Sequence, residues 1–150
     1  MPEFQFKFHA LLKYRQNRRD QTQVALAQLT QQAASLQSQV DRLRVQRHEQ
    51  LEQIRGNCIQ GTVDVDSAAS RRFFATQLEY RAHATELGKQ QILERIAGCR
   101  RTLVQADQDV KILERLEEKQ RRAFVADAQR RDGLELEDVW AAGHCMEFRR

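Results

Sequence analysis

From Phe8 to Ile54 the chain can be walked in alternating steps of three and four residues. The positions are Phe8, Leu12, Arg15, Arg19, Thr22, Leu26, Leu29, Ala33, Leu36, Val40, Leu43, Arg47, Gln50 and Ile54, and nine of the fourteen are apolar. A repeat averaging about 3.5 residues keeps one apolar line on one side of a slightly underwound helix, which is the seam of a coiled coil. The polar members Arg15, Arg19, Thr22, Arg47 and Gln50 interrupt that line. Polar groups in a seam weaken its packing, fix its register, or mark where it meets a partner.

The stretch Gly56 to Ser67 breaks the pattern with two glycines, the β-branched Thr62, Val63 and Val65, and two carboxylates. It predicts a hinge loop over 56–66, with Asp64, Asp66 or Ser67 capping the next helix through its free backbone N–H groups. The second seam is read as Phe74, Leu78, Arg81, Thr85, Gly88, Ile92, Ile96, Cys99, Leu103, Ala106, Val110 and Leu113, extended by Leu116 and Phe124. Its two consecutive steps of four around Ile92 resemble a stutter, which would locally unwind the supercoil near Gly88. Asp132-Gly133 reads as a helix stop or kink.

The fold expected is therefore all-α, a long two-helix antiparallel coiled-coil hairpin in a single domain. Helix one spans about 4–55, helix two about 67–131, and a short or frayed C-terminal segment covers 132–150. A short connection makes sequential helices neighbours, and pairing residues whose numbers add to about 122 sets Leu43 near Leu78, Leu29 near Ile92 and Leu12 near Val110. Helix two, the longer, would overhang helix one at the end carrying both termini.

Composition narrows the alternatives. In 150 residues the only proline is Pro2, there are six glycines, and charged residues reach 31% with a mean hydropathy of -0.73. Sandwiches, barrels and doubly wound sheets need more turn residues and a thicker apolar core than this. The net charge of +4 is carried mostly by arginine, with mixed signs along both helices. That pattern favours protein contacts over a nucleic-acid stripe. Cys58, Cys99 and Cys145 are odd in number and widely spaced, which fits neither a disulfide framework nor a zinc knuckle. The opening residues lack the apolar core of a secretion signal, and no run is long enough to span a membrane.

Catalysis needs converging groups in a sheltered pocket, which a pair of helices does not readily provide. No enzyme motif appears, no cofactor or small-molecule substrate is expected, and His9, His48, His83 and His144 are scattered. Cys99 falls on the seam as a small core residue, whereas Cys58 lies in the loop. Phe4, Phe6 and Phe8 lead into the first seam and are expected to close the end of the hairpin against Leu113 and Leu116. Phe73 and Phe74 are adjacent and so cannot both face one seam; if Phe74 packs inward, Phe73 is a candidate anchor for another protein. The arginine pairs at 18–19, 71–72, 100–101, 121–122 and 130–131 are solvated helix faces or docking points for carboxylates.

The opening Phe4-x-Phe6-x-Phe8-x-x-Leu11-Leu12-Lys13-Tyr14-Arg15, followed by a Gln/Ala/Leu-rich helix, resembles the N-terminus of the FliJ family. These are small coiled-coil proteins of the bacterial flagellar type III export apparatus. Asp109 to Lys119 looks like that family's leucine-glutamate-basic-leucine stretch, and Arg130-Arg131 through Leu136-Glu137-Asp138-Val139 resembles its closing basic-to-acidic signature. The resemblance implies a cytoplasmic stalk, peripheral to the inner membrane, standing in the ring of the export ATPase FliI. It further implies contacts with the export-gate protein FlhA and with export chaperones. On that resemblance Arg15, Arg18, Arg19, Glu114 and Arg115 would meet the ATPase, and Gln39, Leu43, Phe74 and Leu78 the gate. Gln46, Gln50, Arg81 and Thr85 depart from the family's aromatic, alanine and histidine character at the rest of the gate patch. An injectisome stalk of the same architecture, a dimeric coiled-coil scaffold and a basic nucleic-acid binder are the alternatives.

Overall fold

A computed structural model describes residues 4–61 and 64–147, with side chains described as far as 141. The protein is an all-α helical hairpin: α1, His9–Ile59, and α2, Val65–Glu147, pack against each other. The chain groups into two units, one made of the residues up to Arg19 together with those from Val104 onward, the other Asp20–Leu103.

The hinge is shorter than the sequence predicts. Gly56 and Cys58 belong to the last turns of α1, and the helix ends because Gly61 takes a left-handed φ of 74° while its N–H reaches back to the Cys58 carbonyl at 3.3 Å. Only glycine enters that region without a Cβ penalty, and a left-handed residue just past a helix is a common stop. Of the three candidate caps, Asp64 serves: its Oδ1 accepts from the N–H of Asp66 at 3.2 Å, satisfying a donor of the first turn. Asp66 itself lies in that turn, where the positive end of the helix dipole favours a carboxylate. Thr62 and Val63 lie outside the described residues.

In the unit Asp20–Leu103 the seam of α1 follows the spacing read from the sequence. Thr22, Leu26, Leu29, Ala33, Leu36, Val40, Leu43, Arg47, Gln50 and Ile54 are all buried or half-buried. The seam of α2 is different from the one expected over its first half. It runs through Arg71, Ala75, Leu78, Ala82, Thr85, Lys89, Ile92, Ile96, Cys99 and Leu103, in unbroken alternation of four and three. Phe74 and Arg81 are displaced to its flank, so the expected stutter at Gly88 is not formed. The physical reason is size: Ala75 and Ala82 take the seam and are buried. Lys89 lays its stem along it and donates from Nζ to Gln37 Oε1 at 2.7 Å.

The polar interruptions of the α1 seam are used. Arg47 Nε is 2.5 Å from Glu79 Oε2, Gln50 Oε1 accepts from Arg71 Nη1 at 3.1 Å, and the Thr22 carbonyl accepts from Cys99 Sγ at 3.6 Å. Arg71 also donates to Gln53. The pairs Thr22–Cys99 and Gln50–Arg71 each add to 121, within one residue of the expected register. Cross-helix polar pairs of this kind tie a seam to one register, since a slip of a turn leaves them unmatched.

In the other unit Phe6, Leu12 and Val110 form a buried cluster, with Phe4, Leu113 and Leu116 packed around it. Leu12 and Val110 thus meet as the register predicts. Residues 4–8 precede α1 instead of joining it, although helix one is expected from about 4. The reason lies in their packing: Phe4 sets its ring 5.7 Å from Phe124, and Phe6 stands edge-on to Phe8 at 5.9 Å. The Phe6 carbonyl accepts from the N–H of His9, the first helical residue. Phe4 and Phe6 close this end against Leu113 and Leu116, as the sequence leads one to expect, whereas Phe8 is 40% exposed and stands outside the cluster. Beyond Phe124, α2 continues through Asp132-Gly133, where a stop is expected, to Glu147. Good helix formers on both sides carry the helix over one glycine, whose penalty is about 1 kcal/mol. Every side chain from Gln129 to Ala141 is exposed.

Candidate functional site

Two surfaces carry the residues singled out by sequence, one in each unit. In the unit containing residues 4–19 and those after Val104, α1 supplies Arg15, Arg18 and Arg19, and α2 supplies Glu114 and Arg115. Arg15 is half-buried and its Nη1 lies 2.8 Å from Asp109 Oδ2. Gln16 Nε2 donates to Glu114 Oε1 at 3.5 Å, so Glu114 is engaged across the helices. Arg18 and Arg115 are exposed, and Arg19 is half-buried. Arg115 stands between Lys111 and Lys119 at four-residue steps, a cationic ridge of exposed side chains along one face of α2. Lys111 is tied to Asp107 at 2.7 Å. Asp109 and the two flanking lysines are members of this surface that sequence reasoning missed. The four-residue spacing on α2 was a legible signal for the lysines, whereas the pairing of Asp109 with Arg15 required the register.

In the unit Asp20–Leu103 the four gate-patch residues are divided by burial. Gln39 is exposed, Leu43 half-buried, Phe74 45% exposed and Leu78 2% exposed. Leu78 is therefore a core residue beneath the patch, and Phe74 is the ring a partner can touch. Phe73 is exposed as well, at 68%, because the seam takes Ala75 in place of either phenylalanine. The expectation that Phe74 packs inward is thus corrected.

Beside this patch lies a groove of about 400 Å³ lined by Arg44, Arg47, His48, Glu79, Ala82, His83 and Glu86. Its two carboxylates are held by arginines, Glu79 by Arg47 and Glu86 by Arg44 at 3.8 Å, and Glu86 also meets Lys89. The groove is a lattice of ion pairs between helices. Among the described residues no cluster of His, Cys, Asp or Glu could hold a metal ion, and no helix is long and apolar enough to cross a membrane. Cys99 occupies the seam and Cys58 is exposed in the last turn of α1. The side chains of His144 and Cys145 lie outside those described.

Two long helices, with a packed seam and cross-helix polar pairs within each unit, define a helical hairpin of coiled-coil type. The family model described as Flagellar FliJ protein matches residues 4–141, and the chain belongs to the FliJ family. Membership gives it a role associated with flagellar protein export. Comparison with curated proteins and with solved structures gave no match.

Proposed function

We propose that this protein is a cytoplasmic stalk of the flagellar type III export apparatus, acting by binding and not by catalysis. The observation that carries the reading is the family match over residues 4–141, which includes both the aromatic opening and the basic α2 ridge. The surface of Arg15, Arg18, Arg19, Glu114 and Arg115 binds the ring of the export ATPase FliI, where arginines can dock carboxylates bidentately. The patch of Gln39, Leu43 and Phe74 binds the export gate FlhA. Leu78 holds α2 in place beneath it without making the contact. Export chaperones dock on the same protein, which sits peripherally at the cytoplasmic face of the inner membrane through these partners.

The mechanism is differential binding. A stalk that prefers one arrangement of ATPase subunits promotes ring assembly and shifts turnover by no more than its difference in affinity for the arrangements. The test is ATP hydrolysis by FliI from the same organism, titrated with this chain beside a pulldown. Co-purification with raised turnover is expected. Complex formation with unchanged turnover would remove the activating role, and no complex from a folded helical preparation would remove the partner.

A further inference from the structure

The hinge-proximal half of α2 carries two overlapping seams. The one packed against α1 passes through Arg71, Ala75, Leu78, Ala82, Thr85 and Lys89. The other passes through Phe74, Leu78, Arg81, Thr85 and Gly88, and joins the first at Ile92. They share Leu78 and Thr85, and elsewhere the second lies one residue earlier. The two lines therefore differ by about half a residue on average, which is about 50° of rotation about the helix axis.

Neither line is clearly the more apolar. The packed one buries Ala75 and Ala82, but it also takes in two cations. The Lys89 side chain is only 15% exposed, and Arg71 keeps a buried Nε without a hydrogen-bond partner. A buried N–H left unpaired costs free energy. The second line would cover Phe74, now 45% exposed, and release both cations, at the expense of turning the exposed Arg81 inward. Packed interfaces with two such arrangements are bistable and move between them as a step.

The choice between the seams is made on one flank. Measured from Leu78, Glu79 and Glu86 lie about 100° and 80° round the helix on the side of Ala75 and Ala82, whereas Phe74 and Arg81 lie about 40° and 60° on the other. Glu79 is 2.5 Å from Arg47 and Glu86 is 3.8 Å from Arg44. On the seam itself Lys89 donates to Gln37, and Arg71 to Gln50 and Gln53. Each of these cross-helix contacts needs the present rotation. A turn that brings Phe74 to α1 carries Glu79 and Glu86 away from it.

We propose that Glu79 and Glu86, held by Arg47 and Arg44, are a latch on one of two rotational states of α2. With the latch closed, Phe74 is presented to solvent. With it open, this half of α2 turns by about 50° and Phe74 packs against α1. The device holds whatever partner Phe74 meets, and a partner that grips the exposed ring favours the closed state.

The test places 4-fluorophenylalanine at position 74 of the full chain and reads the burial of the ring from the change in fluorine chemical shift between H2O and D2O. It is run on the otherwise native chain, on a Glu79→Gln, Glu86→Gln variant, and on that variant with Arg71→Leu and Lys89→Leu added. The two leucines fill the present seam and hold the present rotation without the latch. Circular dichroism and thermal unfolding verify the hairpin in each. Opening the latch should reduce the solvent shift by at least about half, as a move of most chains to the covered state requires. Salt at about 1 M, which screens exposed ion pairs, should move the native chain the same way. The leucines should return the ring to water. A ring equally exposed in the native and latch-open chains overturns the proposal. So does a ring that is covered but not returned by the leucines, which would mean local collapse without rotation. Loss of the hairpin in the latch-open variant also overturns it, by making the two glutamates supports of the fold.

Discussion

Arg15 Nη1 donates to Asp109 Oδ2 at 2.8 Å, joining side chains 94 residues apart across the two helices. Both are about one-third exposed, so the pair contributes less than about 1 kcal/mol and can exchange Asp109 for an external carboxylate. A double-mutant cycle on Arg15→Ala and Asp109→Ala should therefore give a coupling energy of about 0.5 kcal/mol by thermal or urea unfolding. If Arg15 serves the ATPase, Arg15→Ala should lower stimulation of FliI at nearly native stability, whereas Asp109→Ala should retain most of it. A coupling of several kcal/mol would make the pair a structural element instead of an available contact.

Phe74 and Leu78 are one turn apart, yet they should respond differently to truncation. Leu78 is almost wholly buried, and Leu78→Ala should cost about 2 to 5 kcal/mol through lost transfer energy and the cavity left behind. Phe74→Ala should cost about 1 kcal/mol or less, because half its ring already meets water. Urea denaturation monitored by circular dichroism separates the two. Gate affinity, measured on whichever variant stays folded, should fall for Phe74→Ala. Native affinity on a folded Phe74→Ala chain would take the ring out of the gate patch.

The seam of α1 was legible in the sequence because its large apolar residues outnumber its polar ones and keep strict spacing. The seam of α2 was legible from Ile92 onward for the same reason. Before that point Ala75 and Ala82 compete with Phe74 and Arg81 for the inward positions, and bulk misleads when the close approach of two helices favours small side chains. The packing of Phe4 and Phe6 against Leu113 and Leu116 followed from the register. Their non-helical backbone did not, because ring packing and not local propensity fixes it. For the candidate surfaces, the resemblance to the FliJ family assigned Arg15 and Phe74, which spacing alone put in the seams, and the distinction between exposed Phe74 and buried Leu78 needed the rotation of α2 about its axis, which the alanines set.

Hinge geometry makes a third prediction. Asp64→Ala removes the acceptor for the Asp66 N–H and should cost about 1 kcal/mol. Gly61→Ala should cost a comparable amount, about 1 kcal/mol, through its left-handed backbone alone, since a Cβ at Gly61 meets nothing within 4 Å. Both losses should appear as lower urea midpoints with unchanged denaturant slope. An unchanged midpoint for Asp64→Ala would mean that water replaces the cap.

Gly133 decides how far α2 extends. A Cβ there meets nothing within 4 Å, and the glycine lies inside the helix. In a helix interior, Gly133→Ala removes backbone freedom from the unfolded chain and should stabilise by about 0.4 to 1 kcal/mol. Because its neighbours from Gln129 to Ala141 are exposed, the gain should register as higher helicity and slower amide exchange in this segment, with little change in the midpoint for the buried seam. If the helix instead ended at Arg131 with Gly133 as a left-handed stop, alanine would strain the turn, and exchange around it would quicken. Hydrogen exchange on the two chains distinguishes these, and the same comparison for Gly88→Ala, also an open helical position, provides the internal standard for a glycine known to sit beside the seam.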